Sequence, residues 1–490
     1  MASIPADPAS SSLLEALDEA SIGRFHLRAA MTTGVGFFTD AYDLFVIGAV
    51  LTILKGQWHL RPTGVALVGS AALLAAFFGA FVFGRIADVL GRRRVYGLEA
   101  AIMVVGAIGS AFAPDLVWLI VFRFVIGVGI GGDYPVSAVL MSEYANRRDR
   151  GKLVSLVFSM QALGLVVGPA VGIALVASHV PAALTWRLML GLGAIPAAAV
   201  IVARRRLPES PRFQAEVRGQ ATQAADELAT FSGGSIRVTQ NPAANGRRAP
   251  AASPAKERLG LGAFVRDRRL MLTLIGTAGT WFLFDYAYYG NSISTPVILR
   301  MVAPNASLLT TLEWTLGIFA IAALPGYVLA AFTLDRIGHR RLQLIGFAVM
   351  GVAFLTIGVV PEVAAAAIPF LAVYGISYFF AEFGPNTTTF VMASELFPVS
   401  LRTTGHGISA GIAKVGAFIG VFVFPLLTAA LGLRGTLTLT AGLAAAGLLL
   451  TLVLAEPARR SLEEVSGALA PIETLDHQQA HPAVPEYVAG

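Results

Sequence analysis

Residues 123–143 read RFVIGVGIGGDYPVSAVLMSE, an apolar stretch that carries a few charged and polar side chains. About 20 apolar residues in a helix cross the ~30 Å hydrocarbon core of a bilayer, so this stretch is predicted to span a membrane. A carboxylate in mid-membrane costs at least ~2.5–3.5 kcal/mol and normally faces a bundle interior or a water-filled cavity. Asp133 and Tyr134 are therefore predicted to lie in an interior functional site.

Four glycines in the same stretch, Gly127, Gly129, Gly131 and Gly132, spell the dinucleotide-binding pattern GxGxxG. That pattern requires a preceding strand and a glycine loop that opens a soluble helix, and neither fits inside an apolar run. Small residues on a membrane helix allow neighbouring backbones to approach closely. We therefore interpret these glycines as helix-packing residues.

The composition predicts an all-α, polytopic membrane protein and excludes a soluble enzyme. Of 490 residues, 56% are hydrophobic and 13% are charged, whereas soluble domains carry about 25% charged residues. The chain has no cysteine, which excludes disulfides, thiolate catalysis and cysteine-based metal sites. The seven histidines are scattered and form no HExxH motif, so no metal site and no cofactor are expected.

The apolar runs predict twelve transmembrane helices in two groups of six. The predicted spans are 29–54, 64–86, 95–113, 116–140, 152–177, 185–203, 270–296, 310–333, 342–360, 366–392, 404–430 and 435–454. They divide the chain into a lead-in (1–28), a first six-helix bundle (29–203), a linker (204–269), a second six-helix bundle (270–455) and a polar tail (456–490). The linker is predicted to be helical at its start and loose around 232–256. No cleavable signal is predicted, because residues 1–22 are polar and the first apolar run is too long.

Lysine and arginine are distributed unevenly between the two sides of the predicted bundle. With the N-terminus inside, 29 of the 36 fall on the cytoplasmic side and five on the opposite side. This asymmetry predicts a plasma-membrane protein with both termini in the cytoplasm. The basic residues therefore mark topology, and no nucleic-acid partner is predicted.

The two halves of the chain repeat one another. Residues 84–94 (GRIADVLGRRR) follow the second span, and residues 335–341 (DRIGHRR) follow the eighth span, with Asp335 lying 247 residues after Asp88. The pair Ser142-Glu143 recurs as Ser394-Glu395 after 252 residues. Two six-helix bundles in parallel repeat, with substrate between them, describe a secondary transporter that rocks about a central site. Two complete halves in one chain predict a functional monomer.

These repeated loops, together with Pro208-Glu-Ser-Pro-Arg212, resemble the signatures of the major facilitator superfamily. Four further stretches, residues 36–43, 131–135, 281–291 and 383–390, resemble the phosphate:proton symporter family within it. The resemblance covers nearly all of 22–455. It implies import of inorganic phosphate with protons by alternating access. It also implies that the two basic loops are conformational latches; their residues are Gly84, Asp88, Gly91 and Arg92, then Asp335, Gly338 and Arg340.

Two aspartates in the first span are candidate proton carriers. Asp40 and Asp43 lie three residues apart and so share a helical face. Two like charges in low dielectric cannot both ionise comfortably, so at least one is expected to hold a proton. The alternative is a structural pair bonded to neighbouring helices.

Arg123 lies ten residues before Asp133, ~15 Å along the helix, so it is expected to approach Asp40 or Asp43 instead. The resemblance implies that Asp133 is a further protonation site.

The seventh span carries Trp281, Asp285 and Tyr289 at i, i+4 and i+8, which places them on one helix face. Lys414 is the only basic residue deep in the second bundle, and a buried lysine requires an anion. Its ammonium suits phosphate, and a Lys414–Asp285 pair could break when substrate arrives. The alternatives are an aromatic helix interface and a permanent ion pair.

Three more polar residues complete the predicted pocket. The resemblance implies that Tyr134 is a substrate ligand, although an aromatic ring packed beside Pro135 is the alternative. Gln161 in the fifth span could donate to an anion or bridge helices. Asn386 follows Gly384-Pro385, which predicts a kink in the tenth span, and it could gate the pocket or contact substrate.

Two other functions remain open at this point. One is a proton symporter for another solute, namely an organic anion, a phosphate ester or a sugar, because the Pro-Glu-Ser-Pro-Arg motif also occurs in sugar porters. Lys414 argues against a neutral sugar, since a buried cation requires a negative partner. The other is a membrane receptor that senses phosphate without flux. The expected partners are therefore phosphate, protons and the lipid bilayer.

Overall fold

The computed structural model describes residues 8–204, 207–234, 236 and 260–466, which are helical with short connections and contain no strand. Within these described ranges, eleven helices are long and apolar enough to cross a membrane. The first ten are α1 (Arg24–Gln57), α2 (Pro62–Leu90), α3 (Arg92–Ala111), α4 (Leu116–Tyr144), α5 (Arg150–Ala177), α6 (Ala182–Arg204), α7 (Arg268–Val302), α8 (Leu308–Ile337), α9 (His339–Val359) and α10 (Ala367–Glu395).

The eleventh helical segment contains two spans. Val399–Thr451 has 53 residues, or ~80 Å at 1.5 Å per residue, which is far more than one bilayer crossing needs. Gly432 interrupts it with φ 68° and ψ 175°, a left-handed conformation that glycine adopts without strain. We name the part before Gly432 α11 and the part after it α12. The twelve predicted membrane helices are thus confirmed.

The glycines of α4 set how closely α2 and α4 approach. A Cβ added at Gly127 would lie 2.2 Å from the carbonyl oxygen of Ala72, and one at Gly131 would lie 2.0 Å from that of Ala76. Both neighbours are main-chain atoms of α2 and cannot rotate away. This contact fits the packing interpretation of the glycines and fixes α4, which carries Asp133 and Tyr134, against the bundle.

A wide turn bends α10 where Gly384-Pro385 predicted a kink. Glu382–Asn386 forms π-helix, and Gly384 has φ −108° and ψ −109°. The hydroxyls of Thr387–Thr389 donate at 2.7–3.0 Å to the carbonyls of Glu382, Gly384 and Pro385. The threonine hydroxyls therefore provide hydrogen bonds to main-chain carbonyls that the break in the helix would otherwise leave without a partner. The turn leaves Glu382 and Asn386 buried inside the bundle.

Segments outside the membrane helices join at the end where α1 begins. The linker opens with helices Pro211–Glu216 and Ala221–Phe231, and the tail forms Leu462–Ser466. Buried Arg212 bonds Glu463 at 2.7 Å and Asp18. Burial alone would lower the pKa of Arg212, but these two carboxylates raise it. The loose segment predicted around 232–256 lies mostly outside the described residues, as do residues 1–7 and 467–490.

Candidate functional site

A buried ion pair occupies the centre of the second half. The Lys414 Nζ lies 2.9 Å from Oδ2 of Asp285 and 3.2 Å from the hydroxyl of Tyr289. The same ammonium lies 4.5 Å and 4.4 Å from the ring centroids of Tyr134 and Tyr289, within the range of a cation–π interaction. The structure therefore brings together the α7 and α11 residues that the sequence singled out.

A chain of hydrogen bonds continues from this pair into the first half. The hydroxyls of Tyr134 and Tyr289 lie 3.4 Å apart. Gln161 Nε2 donates to the Tyr134 hydroxyl at 2.8 Å, and Gln161 Oε1 accepts from Tyr327 at 3.1 Å. Because Tyr134 and Gln161 belong to α4 and α5 while Tyr289 and Tyr327 belong to α7 and α8, the chain crosses the interface between the halves.

Asn386 and Glu382 form the far end of this chain. Asn386 Nδ2 donates to the Tyr327 hydroxyl at 2.7 Å and to Oε2 of Glu382. Glu382 is fully buried, and the hydroxyls of Tyr288 and Tyr327 also interact with its carboxylate. Glu382 and Tyr327 are not among the residues predicted from sequence, although a carboxylate inside a predicted span was a usable signal. We call the joined residues the central polar chain: Asp285, Lys414, Tyr289, Tyr134, Gln161, Tyr327, Asn386 and Glu382.

Aromatic rings close the central polar chain on both sides. Phe37, Phe158, Trp281 and Phe390, which we name the aromatic floor, lie toward the end where α1 begins, with Phe390 stacked on Phe158 at 4.2 Å. On the other side the Phe45 ring stacks on Tyr289 at 5.8 Å. Since every member of the central polar chain is also buried, this conformation is occluded. Trp281 therefore contributes to the floor of the pocket.

The two aspartates of α1 are buried and lack hydrogen-bond partners. No oxygen of Asp40 or Asp43 and no side-chain nitrogen of Arg123 forms a hydrogen bond among the described residues. Asp43 is the acid whose charge acts on Arg123, while Asp40 interacts with the charges of Asp133 and Arg204. The sequence left open whether Arg123 approaches Asp40 or Asp43, and these interactions favour Asp43.

Asp133 forms an ion pair that the sequence analysis did not predict. Arg204 lies 2.7 Å from Asp133 and 2.6 Å from Glu99, and Ser137 donates to Asp133 at 2.5 Å. A Cβ at Gly36 would lie 2.0 Å from both Arg204 Nη2 and Asp133 Oδ2, so α1 can pass this cluster only with glycine there. We name Glu99, Asp133 and Arg204 the acid–arginine cluster.

Each repeated basic loop docks an aspartate onto a helix of the opposite half. Asp88 accepts from the amides of Thr403 and Thr404 at 3.3 Å and 2.6 Å, near the N-terminus of α11. Asp335 accepts from the amides of Gly151 and Lys152 at 3.1 Å and 2.7 Å, at the N-terminus of α5. Free amides and the helix dipole both favour a carboxylate at this position.

The glycines and arginines of these loops complete the closure. Gly91 and Gly338 adopt φ of 101° and 99°, so each loop turns in a conformation that other residues rarely adopt. A Cβ at Gly84 would meet the Thr403 carbonyl oxygen at 2.7 Å. Arg92 bonds Asp88 and the Val399 carbonyl, while the Arg340 amide donates to Glu456. We name this closed end of the bundle the basic face.

No cluster of three or more metal-ligating side chains occurs in the described part of the chain. The central polar chain instead consists of hydrogen-bonding hydroxyl and amide groups, the Lys414 cation and the carboxylates of Asp285 and Glu382. Such a set can bind a small anion and hold protons. Two repeated six-helix halves around a sealed polar interface define a secondary transporter.

The chain belongs to the sugar (and other) transporter family of the major facilitator superfamily, whose family model matches residues 29–469. A relative from Arabidopsis thaliana, "Probable inorganic phosphate transporter 1-6", is 36% identical over 94% of this chain and 97% of its own. "Low affinity inorganic phosphate transporter 4" from Medicago truncatula is 34% identical over 93% and 94% of the two chains. The protein is therefore a membrane transporter and not an enzyme.

Solved structures agree on the fold. The proton:xylose symporter XylE bound to 6-bromo-6-deoxy-D-glucose matches with a TM-score of 0.76 at 20% identity, covering 91% of this chain and 99% of that chain. The human organic anion transporter MFSD10 matches with a TM-score of 0.62 at 15% identity, over 87% and 99%. At these identities the likeness concerns the arrangement of the helices.

Proposed function

We propose that this transporter is a symporter that imports inorganic phosphate with protons across the plasma membrane by alternating access. The observation that carries the proposal is Lys414, a buried cation at the interface of the halves, paired with Asp285 and flanked by the hydroxyls of Tyr134 and Tyr289. Full-length relatives named inorganic phosphate transporters support the choice of cargo. A neutral sugar would leave the Lys414 ammonium without a new partner.

The chemistry of the central polar chain suits dihydrogen phosphate. Lys414 offers a compact ammonium, and Tyr134, Gln161 and Asn386 offer hydroxyl and amide donors for oxyanion oxygens. When phosphate binds to the Lys414 ammonium, Asp285 loses the ion-pair partner that keeps it ionised. A protonated Asp285 would then donate to a phosphate oxygen. Substrate and proton are coupled because each makes the other's binding favourable.

The remaining acids form a proton route beside the pocket. Asp43 and Arg123 lie toward the face opposite the basic face, Asp40 lies between, and the acid–arginine cluster lies toward the basic face. The α1 aspartates share a helical side, three residues apart. The Asp40 carboxyl interacts electrostatically with both Asp133 and Lys414. A proton on Asp40 can therefore alter both the cluster and the phosphate pocket.

Alternating access follows from the two closures. The structure is sealed at the aromatic floor and at Phe45. We assign the basic face to the cytoplasm, as the lysine and arginine asymmetry predicts, so both termini are cytoplasmic. Release inward then requires Asp88 and Asp335 to leave the helix N-termini of the opposite half. Exposed apolar side chains such as Ile321 and Ile368, 79% and 82% exposed, support a lipid-facing surface, and two complete halves support a functional monomer.

Uptake of labelled phosphate into proteoliposomes tests the proposal. We expect saturable uptake that rises several-fold when the lumen is alkaline relative to the medium, and that an uncoupler of the gradient removes this rise. Sulfate, an aromatic acid and xylose serve as competitors. Correctly inserted protein that shows no phosphate uptake but accumulates one of these competitors would overturn phosphate as the cargo.

Asp43→Asn is expected to remove the response to the proton gradient. The substitution keeps the size of the side chain but cannot accept the proton, while the phosphate pocket has no bond to Asp43. Gradient-stimulated uptake should fall at least ~10-fold, with phosphate affinity in detergent within about twofold of the unmodified protein. Asp115→Asn, at the solvent-exposed N-cap of α4, is the matched control. Undiminished stimulation in Asp43→Asn would remove Asp43 from the route.

A further inference from the structure

His406 occupies the stretch of α11 between the phosphate pocket and the basic face. It lies eight residues before Lys414, two turns away on the same helix side and ~12 Å along the axis. Its ring packs edge-on against Trp281 and Phe390 of the aromatic floor, at 5.4 Å and 5.3 Å between centroids. Two residues before it, Thr404 binds Asp88 of the opposite half.

The polar atoms of His406 are buried without well-formed hydrogen bonds. The residue is fully buried, and neither Nδ1 nor Nε2 has a hydrogen-bond partner in the described structure. The Phe390 main chain lies close enough to interact with one ring nitrogen, without a well-formed hydrogen bond, and the other nitrogen has no such neighbour among the described residues. A buried polar group without a hydrogen bond is destabilising, so a native structure that retains one needs a reason. Other buried histidines differ, because His26 accepts from the Gly23 amide at 3.2 Å and His339 contacts Asp335 at 3.4 Å.

The way out of the pocket passes this ring. An anion that leaves Lys414 toward the basic face must displace Trp281 or Phe390 of the aromatic floor. It must then pass the contact between Asp88 and Thr404. His406 touches both floor residues, which belong to the same half, so displacement of either floor ring exposes its nitrogens to the leaving anion. The His406 nitrogens, which have no well-formed hydrogen bonds in the occluded state, thus lie where the leaving anion has lost its contact with Lys414.

We propose that His406 is a transit site that hydrogen-bonds phosphate during its release toward the basic face. The inference rests on the proposed function. A neutral imidazole offers one N–H donor and one acceptor nitrogen. Dihydrogen phosphate presents oxyanion oxygens for the donor and P–OH groups for the acceptor. Sulfate has no O–H at neutral pH and can use only the donor. His406 is therefore a transient substrate ligand that favours release of a protonated oxyanion.

His406→Phe tests the transit site, because it keeps a ring against Trp281 and Phe390 but has no polar atoms. We expect efflux of labelled phosphate from preloaded proteoliposomes to slow about 10-fold. Phosphate affinity of the purified protein in detergent and its melting temperature should stay unchanged, the affinity within about twofold. His406→Gln, which has a donor and an acceptor, should restore at least half of the lost rate. His26→Phe is the control for replacing a buried histidine away from the route.

Three results would overturn the transit site. One is efflux from His406→Phe at the unmodified rate; another is a loss of affinity that parallels the loss of rate, which indicates packing alone. The third is failure of His406→Gln to recover any rate while it folds. If His406→Phe does not fold, His406→Leu is measured against His406→Gln in the same way. Failure of the proposed function itself would differ, because the unmodified protein would then neither bind nor move phosphate.

Discussion

Lys414→Met is expected to abolish phosphate uptake. Loss of the ammonium removes a charge-assisted contact worth ~1.5–3 kcal/mol, so phosphate affinity should fall ~10- to 100-fold, with gradient-driven uptake at background. The substitution also leaves Asp285 buried without its cation, which is destabilising by itself. Uptake into proteoliposomes and labelled-phosphate binding in detergent measure both effects. Lys55→Met, at the exposed end of α1, is the matched control.

A double variant separates a substrate ligand from a structural ion pair. Asp285→Asn combined with Lys414→Met removes both charges, so no buried charge remains unpaired and the melting temperature should recover. Uptake should stay at background, because the cation for phosphate and the protonatable acid are both gone. If the double variant regains both stability and uptake, the pair is structural, and the phosphate pocket lies elsewhere.

Arg204→Met is expected to destabilise the protein by ~3–5 kcal/mol, the usual effect of removing one member of a buried ion pair. Glu99 and Asp133 would remain buried at 0% exposure without their shared cation. Thermal unfolding in detergent should show a clear loss. Arg187→Met is the control, because Arg187 pairs with no carboxylate among the described contacts: it donates to two main-chain carbonyls at 2.7 Å and 3.2 Å and lies over the Trp186 ring.

Neutralising the whole acid–arginine cluster distinguishes a role of the cluster in stability from a role in proton coupling. The triple variant Glu99→Gln, Asp133→Asn, Arg204→Met carries no unpaired buried charge, so most of the lost stability should return. Gradient-stimulated uptake should not return, since two protonatable acids are absent. A triple variant that responds normally to the gradient would limit the cluster to a structural role. An Arg204→Met protein as stable as the unmodified one would contradict the ion pair itself.

Much of this architecture could be predicted from sequence because it depends on local patterns. Apolar runs of bilayer length gave the twelve spans, and Gly384-Pro385 gave the break in α10. The repeated loops indicated the aspartates that close the basic face. Lys414 and Asp285 were paired correctly because few partners for a buried charge exist in the second half.

The missed residues depend on contacts between helices that are distant in sequence. Arg204 heads three successive arginines, and the positive-inside pattern explained all three without a partner. Its role appears only when α6 packs beside α3 and α4, where Glu99 and Asp133 lie. Glu382 carried a local signal, a carboxylate inside a predicted span, but its partner Tyr327 comes from α8. His406 carried the same kind of signal, an ionisable side chain inside a predicted span, but the lack of well-formed hydrogen bonds at its nitrogens is visible only in the packed structure.

The closure of the basic face has a consequence for how the protein tolerates sequence change. Asp88 and Asp335 bind main-chain amides at the start of α11 and α5, and every residue except proline supplies such an amide. The amide bonds themselves therefore do not depend on which side chain follows, but two receiving positions are restricted for other reasons. Asp88 also accepts from the Thr404 hydroxyl at 2.6 Å, and a Cβ at Gly151 would lie 2.4 Å from Asp335 Oδ1. The two aspartates cannot be replaced, because the acceptor is the carboxylate itself. For these two dockings, we therefore expect substitutions to be tolerated at Lys152, and not at Thr404, at Gly151 or at the aspartate of either loop.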